Sequence, residues 1–277
     1  MQIEVKKRVL VVTHEMLPYV EGTDISKVTT GWPERLHEDD LDLRILMPRF
    51  GTINERRHRL HEVVRLSGIN VVINDEDFPL VIKVASLPGS RLQCYFLDND
   101  EFFYRKGEFK DGDGNWFDDN FERMLFFCLG AFETVKKFGW APDVIHAHGW
   151  MTALMPLLLK TTYKDEPIFQ NTRIVYTAYR DELLDGPLAD DFTAKVEANT
   201  GASADDIAGY GGGSEEELNL GAMQFADAVT VGSEDFPAGM TKAFKDLDVP
   251  KLDYTDYDTL HEDMADFFHS MLEEEEA

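Results

Sequence analysis

The stretch PDVIHAHGW, residues 142–150, closes a short apolar run with two histidines, a glycine and a tryptophan. On a strand, alternate residues share a face, so His146 and His148 point the same way. Two imidazoles so placed could supply two ligands to a metal. A metal site needs more ligands, and no carboxylate, histidine or cysteine is placed by spacing to complete one; no metal is expected. His148, at the carboxyl end of the run, is the candidate ligand-facing residue, and His146 reads as a core histidine. Trp150 leads into the following helix. Gly149 stands where a side chain could have acted and offers none.

Three other stretches invite chemistry and then withhold it. HEMLPYVEGTDISKV follows the first apolar run, where a phosphate-binding loop would offer clustered glycines and a cation. It has one glycine, Gly22, between the carboxylates Glu21 and Asp24, which occupy the electrostatic place of an anion. It reads as a loop closed by an Asp N-cap. DGDGNWFDD resembles a calcium loop, but Trp116 sits where the sharp turn needs glycine, and Glu122 reaches the bidentate position only if that turn is ignored. VGSEDF lacks the second glycine of a hydrolase elbow. No cofactor is expected.

The elements that must position these residues alternate in type. RVLVVTH, LDLRILMP, DVIHAH, TRIVYTAY and AVTVGS are short β-branched runs of the kind buried in parallel sheets. DISKVTTGWPERLHEDD reads as a helix opened by Asp24 and interrupted near Pro33, and MTALMPLLLKTTY and EEELNLGAMQFAD as two more. In WFDDNFERMLFFCLGAFETVKKFG, Phe121, Leu125, Cys128, Leu129 and Phe132 share one face and Gly139 ends the helix. Between residues 61 and 98, three β-rich runs separated by turn-forming NDEDFP and PGS predict an antiparallel meander. The whole predicts one α/β domain, 1–277: a Rossmann-like, doubly wound parallel sheet with an attached meander. A polar, glycine-rich stretch at about 197–217 is expected to be a mobile loop. A helix is expected at about 256–272, fraying into an acidic tail.

Composition narrows the functions. The chain has 277 residues and a formal net charge of −26, from 53 Asp+Glu against 27 Lys+Arg. Such a surface repels phosphate backbones and anionic lipid, so neither nucleic acid nor membrane is expected as a partner. It also predicts self-repulsion that salt would screen. Cys94 and Cys128 lie far apart in apolar contexts and read as reduced, buried thiols. With no leader and no membrane-length apolar run in the sequence, a cytoplasmic protein is expected.

In order along the chain, VLVVTHEMLPYV, LRILMPRFGTI, DNFERMLFF and PDVIHAHGWMTALMPLLLK resemble the N-terminal domain of bacterial glycogen and plant starch synthases. The resemblance runs from about residue 8 to about residue 245, and the length is similar to that of short stand-alone members. It implies the N-terminal half of a two-domain GT-B glycosyltransferase. Such enzymes carry glucose from ADP-glucose to the non-reducing end of an α-1,4-glucan, without a metal. The resemblance also implies that a second Rossmann-like domain, which grips the nucleotide, is absent here.

Carried over position by position, the family pattern is kept in scaffold and changed in function. Glu15 and Pro18 match the family's opening motif, but its lysine, facing the donor phosphates, is Glu21, and its two glycines are Thr23 and Asp24. The aspartate of its H-A-H-D-W block, which faces the sugar, is Gly149. The histidine and asparagine of its T-V-H-N block are Tyr179 and Arg180, and a later lysine, in LNLGAM here, is missing. The resemblance therefore implies a glycogen-synthase-like pseudoenzyme, with no catalytic residues of its own. Its remnant pocket would be lined by Glu15, His148, Trp150 and Tyr179 and would meet α-glucan or a partner in glycogen metabolism. Two alternatives stand beside that reading. One is half of a transferase completed in trans; the other is a protein-interaction module using the face a second domain would cover.

Overall fold

A computed structural model describes residues 6–33, 36, 41–180 and 186–273. Ten strands build one sheet system: β1 (Arg8–Thr13), β2 (Asp42–Pro48), β3 (His61–Glu62), β4 (Ile69–Ile73), β5 (Glu76–Ser86), β6 (Gln93–Asp98), β7 (Val144–His148), β8 (Arg173–Ala178), β9 (Ala228–Val231) and β10 (Lys251–Leu252). Their order is β10-β9-β8-β7-β1-β2-β6-β5-β3, with β4 paired to β5. Every neighbouring pair from β10 to β6 is parallel, whereas β5 runs antiparallel to β6, β3 and β4. The expected meander is therefore only partly separate, because its last strand, β6, is a full member of the parallel sheet.

The parallel strands are long in β-branched residues because both their faces are covered. β1 is buried at Val9, Leu10, Val11 and Val12, and β7 at every position. The helix α1 (Asp24–Val28) follows β1, α2 (Asn120–Phe138) follows the meander, and α3 (Met155–Lys160) follows β7. In α2 the apolar stripe is wider than one face: Phe121, Met124, Leu125, Phe126, Phe127, Cys128 and Phe132 are all fully buried. A left-handed Gly139 ends it. Cys94 and Cys128 are free, buried thiols, and burial pushes both up, out of reach of thiolate chemistry at neutral pH.

Two expectations are corrected here. Asp24 is the first helical residue, not the N-cap; Thr23 holds that place without a side-chain capping bond. Residues 197–217 hold helical structure instead of an open loop: the end of α4 (Phe192–Thr200), single turns at Ala204–Ile207 and Ala208–Tyr210, and the start of α5 (Glu215–Phe225). Reciprocal capping boxes explain it, Ser203 with Asp206 and Ser214 with Glu217, each satisfying backbone donors that a glycine-rich segment would leave to water. Beyond β9 come α6 (Ala238–Asp246) and α7 (Tyr257–Glu273). The helix expected after Asp24 extends in part into residues outside those described, as does the acidic tail at 274–277.

α7 returns over the sheet. Its Phe268 stacks on Trp32 at 5.2 Å between ring centroids and lies 5.0 Å from His146, and the Arg173 guanidinium donates to the Met271 carbonyl. Among the described residues no helix is long and apolar enough to cross a membrane.

A candidate site at the carboxyl ends of the strands

β1 leads to β2 on one side of the sheet, while β7 and its successors build the other, so the strand order reverses between β1 and β7. In open α/β sheets that reversal leaves a crevice at the carboxyl ends, where ligands bind. A cavity of about 520 Å³ lies there, bordered by Thr23, Asp24 and Lys27 after β1, Tyr179 and Arg180 after β8, Ser233, Glu234 and Asp235 after β9, and Tyr254 and Tyr257 after β10. Three carboxylates, two cations and three tyrosines border it. Tyr254 and Tyr257 meet edge to face at 5.7 Å, and the Lys27 ammonium lies 5.1 Å from the centre of the Tyr257 ring. Burial, with Asp24 beside it, pushes the Tyr257 phenol up, so the hydroxyl is a neutral donor throughout the physiological range.

Of the four residues expected to line a pocket, Tyr179 borders this cavity and the other three do not. Tyr179 is itself buried, its hydroxyl joined to His148 Nδ1 by a 2.9 Å hydrogen bond. Its ring presses on the backbone of Gly232, where a Cβ would stand 2.1 Å from the ring edge. His148 is fully buried. Glu15 is 3% exposed, and its carboxylate accepts from the Thr23 hydroxyl. Trp150 is 1% exposed and packs against His14, Phe109 and Trp116 at 5.7, 5.0 and 6.1 Å. The indole is buried in the core. Glu21 is exposed and Arg180 stands at the cavity wall.

Gly149 explains how tightly this layer is closed. Its backbone, φ 71° and ψ −178°, lies in a region essentially reserved for glycine. A Cβ built there would stand 2.7 Å from Ile25 Cδ1 and 2.9 Å from His14 Cε1. The volume a side chain at this position would need is already filled.

Beneath the cavity lies a layer of neutral histidines. The His146 and His148 rings are 3.8 Å apart, and His146 Nε2 bonds Thr177 Oγ1 at 2.6 Å, which in turn meets Thr230 Oγ1 at 2.7 Å. Burial lowers both His14 and His148 to about 3; the His148 backbone partly offsets this for His14, and His14 adds to it for His148. Burial and the neighbouring His148 hold His146 well below the ordinary range. His14 and His148 bind a proton near pH 6.5 when unfolded and not until about pH 3 when folded. Between those values the unfolded chain carries more protons, so stability is full above about 6.5 and falls with pH below it. His14 and His148 alone should cost roughly 3 kcal/mol between pH 6.5 and about 5. Neutralising surface carboxylates works the other way in so acidic a protein, but about 1 M salt shortens that repulsion to ~3 Å. The urea midpoint in high salt is therefore expected to fall across this window; a flat or rising midpoint would contradict the buried neutral layer.

No group of three or more His, Cys, Asp or Glu side chains among the described residues is arranged to hold a metal ion. The DGDG stretch is instead a self-satisfied turn, in which the Asp111 carboxylate accepts from the backbone N–H groups of Asp113 and Asn115 and from the Asn115 side chain.

Comparison with known proteins agrees with this architecture. The chain is 42% identical to a glycogen synthase from Chlorobium luteolum over 181 residues, 64% of this chain and 37% of that protein. It is 41% identical to the glycogen synthase of Chlorobium limicola over the same shares. The chain thus spans little more than a third of the length of the curated relatives it matches. Among solved structures, the catalytic domain of starch synthase IV from Arabidopsis thaliana, bound to ADP and acarbose, superposes with a TM-score of 0.66 at 19% identity. That match covers 82% of this chain and 45% of that one, and establishes the fold as that of a GT-B half. The family model described as the starch synthase catalytic domain matches residues 8–244, and with that coverage the chain belongs to the starch synthase catalytic domain family.

Proposed function

We propose that this chain is a starch/glycogen-synthase-type domain that engages α-glucan, or a protein of glycogen metabolism, through the strand-end cleft without transferring glucose itself. The observation that carries this reading is the closure at Gly149, where Ile25 and His14 fill the space a working side chain would need. Tyr179, bonded to His148, supports it by plugging the neighbouring position with a phenol whose proton burial holds firmly. Replacing one preorganised charge-stabilising group typically costs about 10²–10³ in rate. Glu21, Gly149, Tyr179 and Arg180 all depart from the family's pattern, and among the described residues no cation borders the cleft beyond Lys27 and Arg180.

A neutral glucan suits the cleft better than a nucleotide diphosphate does. Asp24, Glu234 and Asp235 repel phosphate yet accept hydrogen bonds from sugar hydroxyls, and Tyr254 and Tyr257 supply apolar surface. Affinity electrophoresis with glycogen in the gel is expected to retard the protein, and Tyr254→Ala/Tyr257→Ala is expected to release it. Equal mobility with and without glycogen would remove glucan as the ligand and leave a protein partner.

Retention of Glu15, Pro18, His146 and His148 at family positions favours a second reading, a transferase completed by a donor-binding domain supplied separately. Label passing from ADP-glucose into glycogen, with the purified chain alone or with such a domain, would establish that reading and overturn the non-catalytic one.

A further inference from the structure

A second cleft has the opposite electrostatic character. It encloses about 660 Å³ and shares no bordering residue with the strand-end cavity. The segment after β2 reads INERRHRLHEVVR, with Arg56, Arg57, Arg59 and Arg65 in ten residues of an otherwise acidic protein. A single helical turn, Glu55–His58, capped by Asn54 accepting from the Arg57 N–H, ends at Arg59 in the left-handed conformation at φ 56°. That reversal brings Arg57, His58, Arg59 and His61 to a cleft that Ser86 and Tyr19 also border. Among the described residues no aspartate or glutamate borders it. Among the described residues neither Arg57 nor Arg59 is ion-paired, while nearby Glu55 is already engaged by Lys83 at 2.7 Å and Arg49 at 3.4 Å.

Tyr19 is the second and independent observation. It is 7% exposed, held edge to face by His58 at 5.0 Å and Phe96 at 4.9 Å, and its hydroxyl is buried without a hydrogen-bond partner. Burial raises the phenol, so the group keeps its proton. An unpartnered buried hydroxyl costs free energy that a ligand acceptor would recover. Unpaired guanidiniums beside it favour a doubly charged oxyanion, which they bind in bidentate fashion.

We propose that this cleft binds the phosphomonoester of a small organic molecule, with Arg57 and Arg59 taking the phosphoryl oxygens and the Tyr19 hydroxyl donating to the same group. A small ligand is favoured over a polyanion because a chain of phosphates leaving the cleft would meet a surface of net charge −26. The cleft volume exceeds what phosphate alone fills, leaving room for a sugar-sized remainder beside Ser86 and His61.

Isothermal titration with ribose 5-phosphate, ribose, inorganic phosphate and heparin, at matched ionic strength, tests this. Ribose 5-phosphate is expected to bind, ribose is not, and inorganic phosphate is expected to bind more weakly. Arg57→Gln/Arg59→Gln should weaken ribose 5-phosphate about tenfold or more, and Tyr19→Phe by a smaller factor. Both arginines are exposed, so the double variant should keep the wild-type melting temperature without ligand. No binding of ribose 5-phosphate, equal binding by the double variant, or tighter binding of heparin would overturn the proposal. Inorganic phosphate binding as tightly as the ester would overturn its organic part.

Discussion

Gly149→Asp is expected to destabilise the fold by more than about 3 kcal/mol and to leave glucosyl transfer undetected, although it restores the residue type the family carries there. The cost has three sources. A non-glycine residue at φ 71° and ψ −178° is strained by about 1–3 kcal/mol before any contact is counted. The added Cβ would approach Ile25 Cδ1 to 2.7 Å and His14 Cε1 to 2.9 Å, and both residues are fully or almost fully buried, so neither can swing into solvent. The carboxylate then enters a layer whose histidines are neutral at pH 7, at a cost of about 3–5 kcal/mol for a stranded charge. Gly149→Ala separates these sources, since it carries the strain and the contact without the charge. Urea unfolding of the three proteins gives the partition, and a transfer assay with ADP-glucose on the same samples gives the functional half. An aspartate variant as stable as wild type would mean that Ile25 and His14 yield easily, and the closure at Gly149 would no longer argue against catalysis.

The sheet was readable because its signal is local. Each β-branched run in RVLVVTH, DVIHAH and TRIVYTAY becomes a strand within a residue or two of the reading. The long helix followed from three-to-four spacing and its terminal glycine. Gly149 was legible too, as a missing side chain, but its φ and the crowding by Ile25 and His14 belong to the folded state. What the sequence hid was how deeply the HAHGW block is covered. Phe268, more than a hundred residues downstream, comes back to stack on Trp32 beside His146, and the Phe109–Trp116 segment closes over Trp150. No periodicity near residue 148 records either contact. The glycine-rich stretch was misread for a different reason: its composition suggested a loop, while Ser203-x-x-Asp206 and Ser214-x-x-Glu217 were capping boxes in plain view.

The two clefts divide the surface chemistry of the molecule. Carboxylates and tyrosines gather at the strand ends, where the family's pattern expects cations and an imidazole, while unpaired arginines gather after β2. On the proposed reading, Asp24 in the first loop, with Glu234 and Asp235 at the same cleft, disfavours a diphosphate there irrespective of Gly149. On that reading, fold and family stay fixed while the ligand preference of the crevice changes sign.

That distinction makes Trp150 the informative residue to remove. Read from the HAHGW block alone, its indole is a stacking platform for sugar, and Trp150→Ala would abolish glucan binding at little cost to the fold. Buried at 1% and packed against His14, Phe109 and Trp116, it should instead behave as a core side chain. Trp→Ala in such a setting costs about 3–5 kcal/mol, a large fraction of the total stability of an ordinary domain. Trp150→Phe should cost far less, because it keeps a ring among the aromatic neighbours and deletes an indole N–H that has no hydrogen-bond partner in the fold. The check is urea unfolding of both variants beside glycogen affinity electrophoresis, with circular dichroism of each sample to correct for the unfolded fraction. If retardation per folded molecule survives in Trp150→Ala while the midpoint drops, the tryptophan is structural and glucan, if held, is held by the tyrosine-lined cavity. A wild-type midpoint with lost retardation would return Trp150 to the binding surface and would require the Phe109–Trp116 segment to open in solution.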